Sequence, residues 1–348
     1  MRAGLFSVLE PHGTGASETT ARYREILTLA TEAERAGLDS LWVAEHHFGE
    51  AGLLPSPVPL LAAAAARTER IRLGPLVSVL PFHDPVLLAE EYAVLDRIAG
   101  GRLNFGCGSG YLEAELAGFG VDAASRHERF DRALATIRAA WRGEPVRVER
   151  PGAVPVRLNV TPLTPSGPPI TIAVQRAEAL PFVARHGAGL ALIPYATLES
   201  IGELSDWVRR YREAADPASA GGGVAVAMHV YVANDTGPGL AALQRYLDQR
   251  RATQSTHYRA KVARDPRHAD ARTIVERGLA LIVRPEELPG RIRSLAAMGI
   301  DQILAIVDFG PFPEAERWRT IEALGLAARE ATGLPPPRIP EAEPVHPT

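Results

Sequence analysis

Cysteine and lysine are almost missing from this chain of 348 residues: Cys107 and Lys261 are the only examples of each. A single cysteine excludes an internal disulfide and favours a reducing compartment, so the predicted location is the cytoplasm. A single lysine leaves one candidate for Schiff-base chemistry. Arginine carries nearly all the positive charge, and nothing in the sequence suggests a polybasic surface for nucleic acid. No run is apolar for long enough to span a membrane, and the N-terminus lacks the apolar core of a signal peptide. We therefore expect a soluble intracellular enzyme that binds neither nucleic acid nor membrane.

The remaining composition is that of an ordinary globular protein, with 46% hydrophobic residues, 23% charged residues and a net charge of −3. These values exclude the disordered and fibrous classes, and the length suffices for a large core. Short β-type runs alternate with helical patterns along most of the chain. The predicted strands cover residues 2–8, 40–44, 71–80, 103–106, 170–174, 190–193, 224–232 and 302–307.

Eight strands in one alternating series predict an α/β fold, a single (β/α)8 TIM barrel, although an open doubly wound sheet gives the same local pattern. No internal repeat and no shift of composition marks a second domain. We expect one barrel domain over residues 1–333, with an insertion at about 111–169 and a mobile segment at about 250–275. The proline-rich tail, 334–348, is predicted to be disordered.

Glu45, His46, His47 and Phe48 directly follow the second predicted strand. The carboxyl ends of barrel strands form the active site in this fold, and a carboxylate with two imidazoles suits acid–base catalysis. The structural alternative is that one histidine caps a loop while Glu45 pairs with an arginine. Adjacent histidines on an extended segment point to opposite sides, which matches a zinc site poorly, so no metal is predicted.

Two further segments follow predicted strands in equivalent positions. His83 lies between the third strand and a helix N-cap pattern, where it could face a ligand. The run 106–111, Gly-Cys-Gly-Ser-Gly-Tyr, differs from a dinucleotide fingerprint because Tyr111 stands where the third glycine belongs. Its glycines would let the backbone approach a flat ligand closely. Cys107 is interpreted as a packing residue, because no activating base lies beside it.

Gln175 and Arg176 follow the fifth predicted strand and precede a helix. An arginine beside a helix N-terminus can hold a phosphate, because backbone N–H groups, the helix dipole and the guanidinium all attract an anion. A surface arginine without a ligand is the alternative on this feature alone.

In their order and spacing, these segments resemble the bacterial luciferase-like flavin monooxygenase superfamily. The resemblance covers most of the chain before the tail. It is carried by residues 37–48 (GLDSLWVAEHHF), 80–85 (LPFHDP), 89–91 (AEE), 95–96 (LD), 100–106 (GGRLNFG), 118–120 (GFG), 284–288 (RPEEL) and 307–310 (VDFG). Members often have an arginine where this chain has Ser109, and a serine or threonine in the loop that reads Gln175-Arg176-Ala177-Glu178 here.

The resemblance implies a luciferase-like barrel that binds reduced FMN, or a deazaflavin in some branches, at the carboxyl ends of its strands. A separate NAD(P)H-dependent flavin reductase would supply the reduced FMN. Its reaction with dioxygen would give a flavin hydroperoxide, which oxidises a small organic substrate such as an aldehyde, a ketone or a natural-product intermediate. A homodimer is also implied. The alternatives are a deazaflavin-dependent dehydrogenase or reductase, and a non-catalytic flavin-binding relative.

The resemblance also implies roles for individual residues. His46 would be the general acid/base, supported by Glu45. A bend with a non-prolyl cis peptide at Leu76–Val77 would lie against the flavin ring. The other implied flavin contacts are Asn104, Ser109, Tyr111, Gln175 and Arg176, and the implied substrate-pocket residues are His47, Phe48 and His83.

Residues 263–272 are predicted to be the most mobile part of the folded barrel. The segment is charged, is interrupted by Pro266 and offers no large apolar side chain to bury. Little contact area would then offset the entropy of ordering it. The resemblance places a mobile loop over the flavin in this region, and we expect it to act as a lid.

Overall fold

Parallel strands form the centre of the molecule. The computed structural model describes residues 1–12, 15–49, 52–148, 150–164, 166–215, 223–253 and 256–332. The strands within these ranges are β1 (Arg2–Ser7), β2 (Ser40–Val43), β3 (Arg72–Pro75), β4 (Ser78–Val79), β5 (Phe105–Gly108), β6 (Ile170–Ala173), β7 (Gly189–Leu192), β8 (Val224–Val232), β9 (Leu281–Val283) and β10 (Gln302–Ile306). Every pairing between them is parallel.

The order of the strands in the sheet is β3-β2-β1-β10-β8-β7-β6-β5-β4, with β9 paired to β8 outside this path. β3 and β4 stand at its two ends, yet they are consecutive in the chain, and Leu73 of β3 also forms a parallel bridge to Leu103. The sheet therefore curls into a nearly closed barrel, and β3 and β4 together occupy the position of a single strand in its wall. The predicted (β/α)8 barrel is confirmed, and the open doubly wound sheet is excluded.

Two predicted strands differ from the observed ones by more than one residue at an end. The third breaks into β3 and β4 at Leu76–Val77, where the expected cis peptide bond is present. The fourth is β5, which begins and ends two residues later than predicted. A Cβ atom at Gly106 would lie 2.2 Å from the carbonyl oxygen of Pro75. The glycine run therefore belongs to the strand, because it allows β5 to lie close to its neighbour.

Helices surround the barrel. They are α1 (Ala16–Arg35), α2 (Pro57–Ala65), α3 (Pro85–Ile98), α4 (Glu113–Gly118), α5 (Arg126–Trp141), α6 (Leu180–Arg185), α7 (Pro194–Thr197), α8 (Leu204–Ala214), α9 (Gly237–Thr253), α10 (Thr256–Arg264), α11 (Ala271–Glu276), α12 (Leu288–Ala297) and α13 (Glu314–Thr332). Asp84 begins α3, since its side chain accepts hydrogen bonds from two backbone N–H groups of the first turn. Over the described ranges, no helix has the length and apolar character needed to cross a membrane.

The core lies between the barrel and these helices. Phe105 of β5 packs against Tyr92 of α3 and Trp141 of α5, with ring centroids 4.8 and 5.1 Å apart. The indole N–H of Trp141 donates to the carbonyl oxygen of Ala89 at 3.0 Å, so this large side chain is buried with its donor satisfied. These contacts fix α3 and α5 against β5 and so position the loops at the carboxyl end of that strand.

The predicted insertion, about 111–169, contains α4, α5 and an antiparallel bridge between Val146 and Val156. α5 packs against α3 as a barrel helix, and its buried face carries Phe130 and Trp141. α4 places Leu116 in a cavity at the carboxyl end of the strands, and the N-terminal part of α5 places Arg126, His127 and Phe130 in the same cavity. Both helices of the insertion therefore contribute to this cavity.

The predicted mobile segment is helical where the structure describes it, with a 3₁₀ turn at Pro266–Ala269 between α10 and α11. His268 is fully buried, and its Nε2 lies 3.1 Å from the carbonyl oxygen of Tyr195. Asp265 forms an ion pair with Arg277 at 2.5 Å. Polar side chains therefore anchor this segment, although it offers no large apolar one, and its mobility stays a prediction. Residues 254–255 of the segment and the tail, 334–348, lie outside the described residues.

Candidate active site

A cavity of about 620 Å³ opens at the carboxyl ends of the barrel strands. Its walls come from the loops after β1, β2 and β5, from the ends of β6 to β8, and from α4, α5, α9 and α10. Most of the predicted site residues meet here, although they are far apart in the sequence. The predicted residues that line the cavity are Glu45, His46, Leu76, Val77, Ser109, Tyr111, Gln175 and Arg176.

His46 forms a buried pair with Glu115 of α4. Its Nδ1 lies 3.0 Å from Oε1 of Glu115, and the same oxygen accepts the backbone N–H of His47 at 2.8 Å. The backbone N–H of His46 donates to the carbonyl oxygen of Leu54, which fixes the loop after β2. A neutral ring that donates from Nδ1 keeps Nε2 as its acceptor. His46 can therefore take up or deliver a proton at the cavity while Glu115 holds the ring.

Glu45 is buried in a separate cluster with no exposed side-chain surface. Its Oε1 accepts hydrogen bonds from Nε2 of His47 at 3.0 Å and from Nε2 of His83 at 2.8 Å. Its Oε2 accepts from the hydroxyl of Ser78 at 3.2 Å and from the backbone N–H of Val79 at 3.3 Å. Both carboxylate oxygens are thus occupied by the protein, which indicates that Glu45 joins the segments around it.

The pKa values in this cluster follow from these bonds. Burial raises the pKa of Glu45, but the hydrogen bonds from His47 and His83 outweigh it and bring the pKa to about 2. Burial lowers the pKa of His83, but its hydrogen bond and charge interaction with Glu45 outweigh that and raise it. The carboxylate therefore stays ionised at neutral pH and favours a protonated His83.

The structure does not bring His47, Phe48, His83 or Asn104 to the cavity wall. Successive residues of an extended segment point to opposite sides, so His46 faces the cavity while His47 faces Glu45. Phe48 has a φ of 58° and a side chain that is 69% exposed. Asn104 lies before β5, at the opposite end of the barrel, where its Oδ1 accepts from Nε of Arg72 at 2.8 Å. The substrate-pocket and flavin-contact predictions for these four residues are not supported by their positions.

The glycine run after the fourth predicted strand also has a different role from the expected one. A Cβ atom at Gly108 would lie 2.7 Å from a methyl carbon of Val77. The glycine is therefore needed because Val77 packs against this position, and not only for the close approach of a ligand. Cys107 is fully buried, and burial raises the pKa of its thiol, as expected for a packing residue rather than a nucleophile.

Two arginines and two histidines gather at one part of the cavity: Arg126, His127, Arg176 and His257 all line it. Burial and the nearby charge of Arg176 lower the pKa of Arg126. Burial, Lys261 and Arg176 lower the pKa of His257. The Nε2 atom of His257 is buried without a hydrogen-bond partner, and within the described ranges no carboxylate pairs with Arg176. Glu178 also lines the cavity and acts to raise the pKa of His257. The charge of this cationic region therefore comes from the two arginines, which together with the unpartnered nitrogen of His257 fit an anion such as a phosphate.

Sequence reasoning missed several residues of the cavity. Glu115 was not singled out, although an acidic residue on a helix directly after the glycine run was a signal that could have been used. Arg250 and Tyr246 of α9 also line the cavity, and Arg250 forms a buried ion pair with Glu10. These two partners are 240 positions apart, so no local pattern could have found them. Over the described ranges, no group of His, Cys, Asp or Glu side chains could hold a metal ion.

A parallel barrel with an imidazole–carboxylate pair and an arginine-lined cavity at the carboxyl ends of its strands is the architecture of a TIM-barrel enzyme. The chain belongs to the luciferase-like monooxygenase family, whose family model matches residues 1–302.

Three relatives show how far the similarity extends. The uncharacterized protein y4wF of Sinorhizobium fredii is 35% identical over 197 residues, which cover 56% of this chain and 57% of the relative. Limonene 1,2-monooxygenase of Rhodococcus erythropolis is 33% identical over 145 residues, 42% of this chain and 38% of the relative. The F420-dependent glucose-6-phosphate dehydrogenase of Beutenbergia cavernae is 40% identical over 135 residues, 36% of this chain and 39% of the relative. The matched regions thus span only about half the length of these relatives or less.

Solved structures resemble the whole chain. Monooxygenase RslO1 of Streptomyces bottropensis has a TM-score of 0.77 and 27% identity, covering 95% of this chain and all of that one. The oxygenating constituent of 3,6-diketocamphane monooxygenase of Pseudomonas putida, solved with FMN, has a TM-score of 0.79 and 22% identity. It covers 96% of this chain and 99% of that one, and at this identity it supports the fold alone.

Proposed function

We propose that this protein is a flavin-dependent monooxygenase. It would take reduced FMN from a separate NAD(P)H-dependent flavin reductase and use dioxygen to oxidise a small organic substrate, such as an aldehyde, a ketone or a natural-product intermediate. The observation that carries the proposal is the position of His46, which is held by Glu115 at Nδ1 and opens onto a cavity with a cationic region. The family membership of the chain supports the oxygenating reaction.

The cationic region would hold the phosphate of FMN. Arg126 and Arg176 repel each other when no ligand is bound. A phosphate between them would relieve this repulsion, because it would accept charge-assisted hydrogen bonds from both guanidinium groups. The buried Nε2 of His257 would gain a partner from the same group. Gln175 also lines this part of the cavity, and Leu76 and Val77 would form an apolar wall for the flavin ring. The donor set thus fits a flavin that carries an anionic tail.

Bound reduced FMN would supply the two electrons that activate dioxygen, and dioxygen would supply the oxygen atom that the substrate receives. The chain supplies the proton chemistry, because Nε2 of His46 is the atom that can accept or deliver a proton at the cavity. The Glu115 carboxylate would keep the ring in one orientation. A positioned group of this kind contributes about 10²–10⁴ in rate.

The cavity also has to exclude water, because reactive oxygen-transfer intermediates decay when water reaches them. Apolar side chains from several strands and helices line it, among them Phe6, Val8, Phe130 and Leu192. They leave His46 as a proton-transferring group in a largely apolar wall. This lining supports an oxygenating reaction in a closed site.

A deazaflavin-dependent dehydrogenase or reductase is the second candidate. It is favoured by the relative named as an F420-dependent dehydrogenase, which is 40% identical over 135 residues. The same cationic region would attract the anionic tail of a deazaflavin, and His46 would then serve hydride transfer without dioxygen. A flavin-binding protein without catalysis is a third candidate, but a protein of that kind would not need the His46–Glu115 pair.

Anaerobic titration followed by stopped flow separates these candidates. The protein is titrated with reduced FMN and with reduced F420, and each complex is then mixed with dioxygen. We expect tighter binding of reduced FMN, and an absorbance transient on mixing with dioxygen that free reduced FMN does not give. His46→Gln should retain binding and change the decay of that transient. Preference for F420 with hydride transfer would favour the dehydrogenase, and binding without either reaction would contradict catalysis.

We also propose a homodimer that forms through α3. Leu87, Val94 and Ile98 are 49%, 46% and 52% exposed, and their spacing places them on one face of the helix. A second copy of this chain would cover that face. Light scattering should report a dimer for the wild type and a monomer for Val94→Glu, whereas a monomeric wild type would contradict the proposal.

A further inference from the structure

Arg250 is a buried cation in the cavity wall that the proposed reaction does not use. Its side chain is 5% exposed and lines the cavity with Tyr246, whose ring centroid is 5.5 Å from the guanidinium carbon. Its Nε donates to the carboxylate of Glu10. Within the described part of the chain, Glu10 is the one acceptor for this guanidinium, and the buried Nη2, although ion-paired with Glu10, makes no hydrogen bond. A buried arginine with unused donors at a cavity indicates a place for an anionic ligand.

Glu10 lies behind Arg250 and does not line the cavity. Burial raises the pKa of Glu10 to about 7, against the opposing effect of Arg250. The other charges that act on it are Asp308, which raises the pKa, and Arg22 of α1, which lowers it. The carboxylate is therefore ionised above neutral pH only because Arg250 is beside it.

Three tyrosines surround the cavity side of Arg250. The hydroxyls of Tyr195 and Tyr246 lie 2.9 Å apart. Tyr111 stands edge-on to His46 with ring centroids 6.2 Å apart, and no described residue bonds its hydroxyl. Burial raises the pKa of Tyr111 to about 12, against the pull of Arg250. These hydroxyls therefore remain donors, and they link the arginine to the acid–base residue.

We propose that Arg250, with the hydroxyls of Tyr111 and Tyr246, binds the carboxylate of an organic-acid substrate, which replaces Glu10 as the partner of Arg250. The guanidinium fork matches a carboxylate, and the tyrosine rings suit an aromatic or apolar frame. The identity of this ligand as the substrate rests on the proposed function, but its binding does not. Tyr111 would place the reacting part of the acid beside His46.

Replacement of Glu10 has a consequence for protons. Once the ligand carboxylate pairs with Arg250, the Glu10 carboxylate is buried without a cationic partner. It then takes up one proton from solvent. The net charge of the buried cluster is zero both before and after the ligand binds. Before binding, Arg250 pairs with ionised Glu10. After binding, Arg250 pairs with the ligand anion and Glu10 is neutral. Binding above pH 7 should therefore require one proton, whereas binding below it should not.

Calorimetric titration of the full-length protein with benzoate and with its neutral analogue benzamide tests the proposal without any turnover. We expect benzoate to bind about tenfold or more tightly than benzamide, as a charge-assisted bidentate pair allows. Arg250→Gln alone would leave Glu10 unpaired and could fail to fold, so the double variant Arg250→Gln/Glu10→Gln is the main comparison. The matched control is Arg251→Gln, at the exposed neighbour on the same helix.

The double variant should lose the preference for benzoate, and Arg251→Gln should keep it. Above pH 7 the wild-type affinity for benzoate should fall by about tenfold per pH unit, as expected for one linked proton. Glu10→Gln should remove this dependence and bind benzoate more tightly than the wild type at pH 8.

Equal binding of benzoate and benzamide, or a preference that survives in the double variant, would overturn the proposal. So would weaker binding of reduced FMN in the double variant with unchanged benzoate binding, because Arg250 would then serve the flavin. If benzoate behaves as expected but the protein binds no flavin, the anion site stands and the monooxygenase proposal fails.

Discussion

His46 and His47 are neighbours in the chain and each contacts a buried carboxylate, but the two carboxylates differ in what they leave free. Glu115 holds His46 at Nδ1, and the ring opens onto the cavity. Glu45 accepts from His47 and His83 at one oxygen and from Ser78 and a backbone N–H at the other. The first arrangement, the cavity-side pair, leaves a nitrogen for a ligand. The second, the wall-side cluster of Glu45, His47 and His83, binds only to the protein.

This difference shows that a buried histidine beside a carboxylate is not catalytic for that reason alone. The cavity-side pair has a reactive atom that faces the ligand space, whereas the donors of the wall-side cluster meet acceptors of their own protein. The same residue types thus serve chemistry in one place and stability a few ångströms away. The following predictions test that separation.

The largest effect is expected at His46. His46→Gln should lower turnover by about 10²–10⁴, because the proton-transferring nitrogen is lost. Its free energy of unfolding should change much less, and anaerobic titration should show nearly unchanged binding of reduced FMN. His47→Gln is the matched control, and it should lower stability while the folded protein keeps its turnover. Equal losses of turnover in both variants would contradict the distinction between a catalytic His46 and a structural His47.

Glu45→Gln should be the most damaging of these changes for stability. It removes the negative charge between two imidazoles and leaves them buried around an amide, which costs about 3–5 kcal/mol when one partner of a buried pair is lost. Urea unfolding of the wild type and the variant measures the difference. Glu115→Gln should lose about 1 kcal/mol and mainly lower turnover. If Glu115→Gln lost more stability than Glu45→Gln, the cavity-side pair would be the structural one.

The contribution of the wall-side cluster should depend on pH in both directions. The lowered pKa of Glu45, about 2, gives stability that is present above its ordinary value of 4.5 and is lost as pH falls toward 2. The raised pKa of His83 gives stability that is present below its ordinary value of 6.5 and is lost as pH rises through the folded-state pKa.

The stability difference between the wild type and Glu45→Gln should therefore be largest between roughly pH 4.5 and 6.5. Thermal unfolding of both proteins over a pH series measures it. A difference that does not vary with pH would show that the charges of Glu45 and His83 are not linked to folding.

The smallest effect concerns ligand affinity on the cavity side. Arg176→Ala should weaken FMN binding by about tenfold and leave riboflavin binding unchanged, because only FMN carries the phosphate and the arginine is exposed to screening. The loss should shrink at high salt. Arg210→Ala, at an exposed arginine of α8, is the control and should affect neither ligand. Equal losses for FMN and riboflavin would place the phosphate elsewhere.

The sequence was sufficient for the barrel and for part of the cavity. Strand and helix periodicities are local, and in a parallel barrel every strand end reaches the same face, so His46, Tyr111 and Arg176 could be brought together in advance. The predicted positions of Phe48, His83 and Asn104 agree less well with the structure. Their positions depend on the direction of each side chain and on the exact bounds of a strand, which periodicity alone does not define.

The partners of the site residues could not be predicted from local patterns. Glu115 lies 69 positions from His46, and Glu10 lies 240 positions from Arg250. A contact of this kind forms only when the whole barrel has closed, and the burial that shifts the pKa values of Glu45 and Glu10 exists only in the closed fold.

By itself, then, the sequence determined the fold class and the face on which the site lies, because both follow from short-range patterning, whereas the choice of His46 came from the family resemblance. Only the tertiary structure decided which carboxylate holds that histidine, which one fixes the wall and which carboxylate pairs with Arg250. Those choices depend on distances of about 3 Å between distant segments, and packing, rather than sequence spacing, sets such distances.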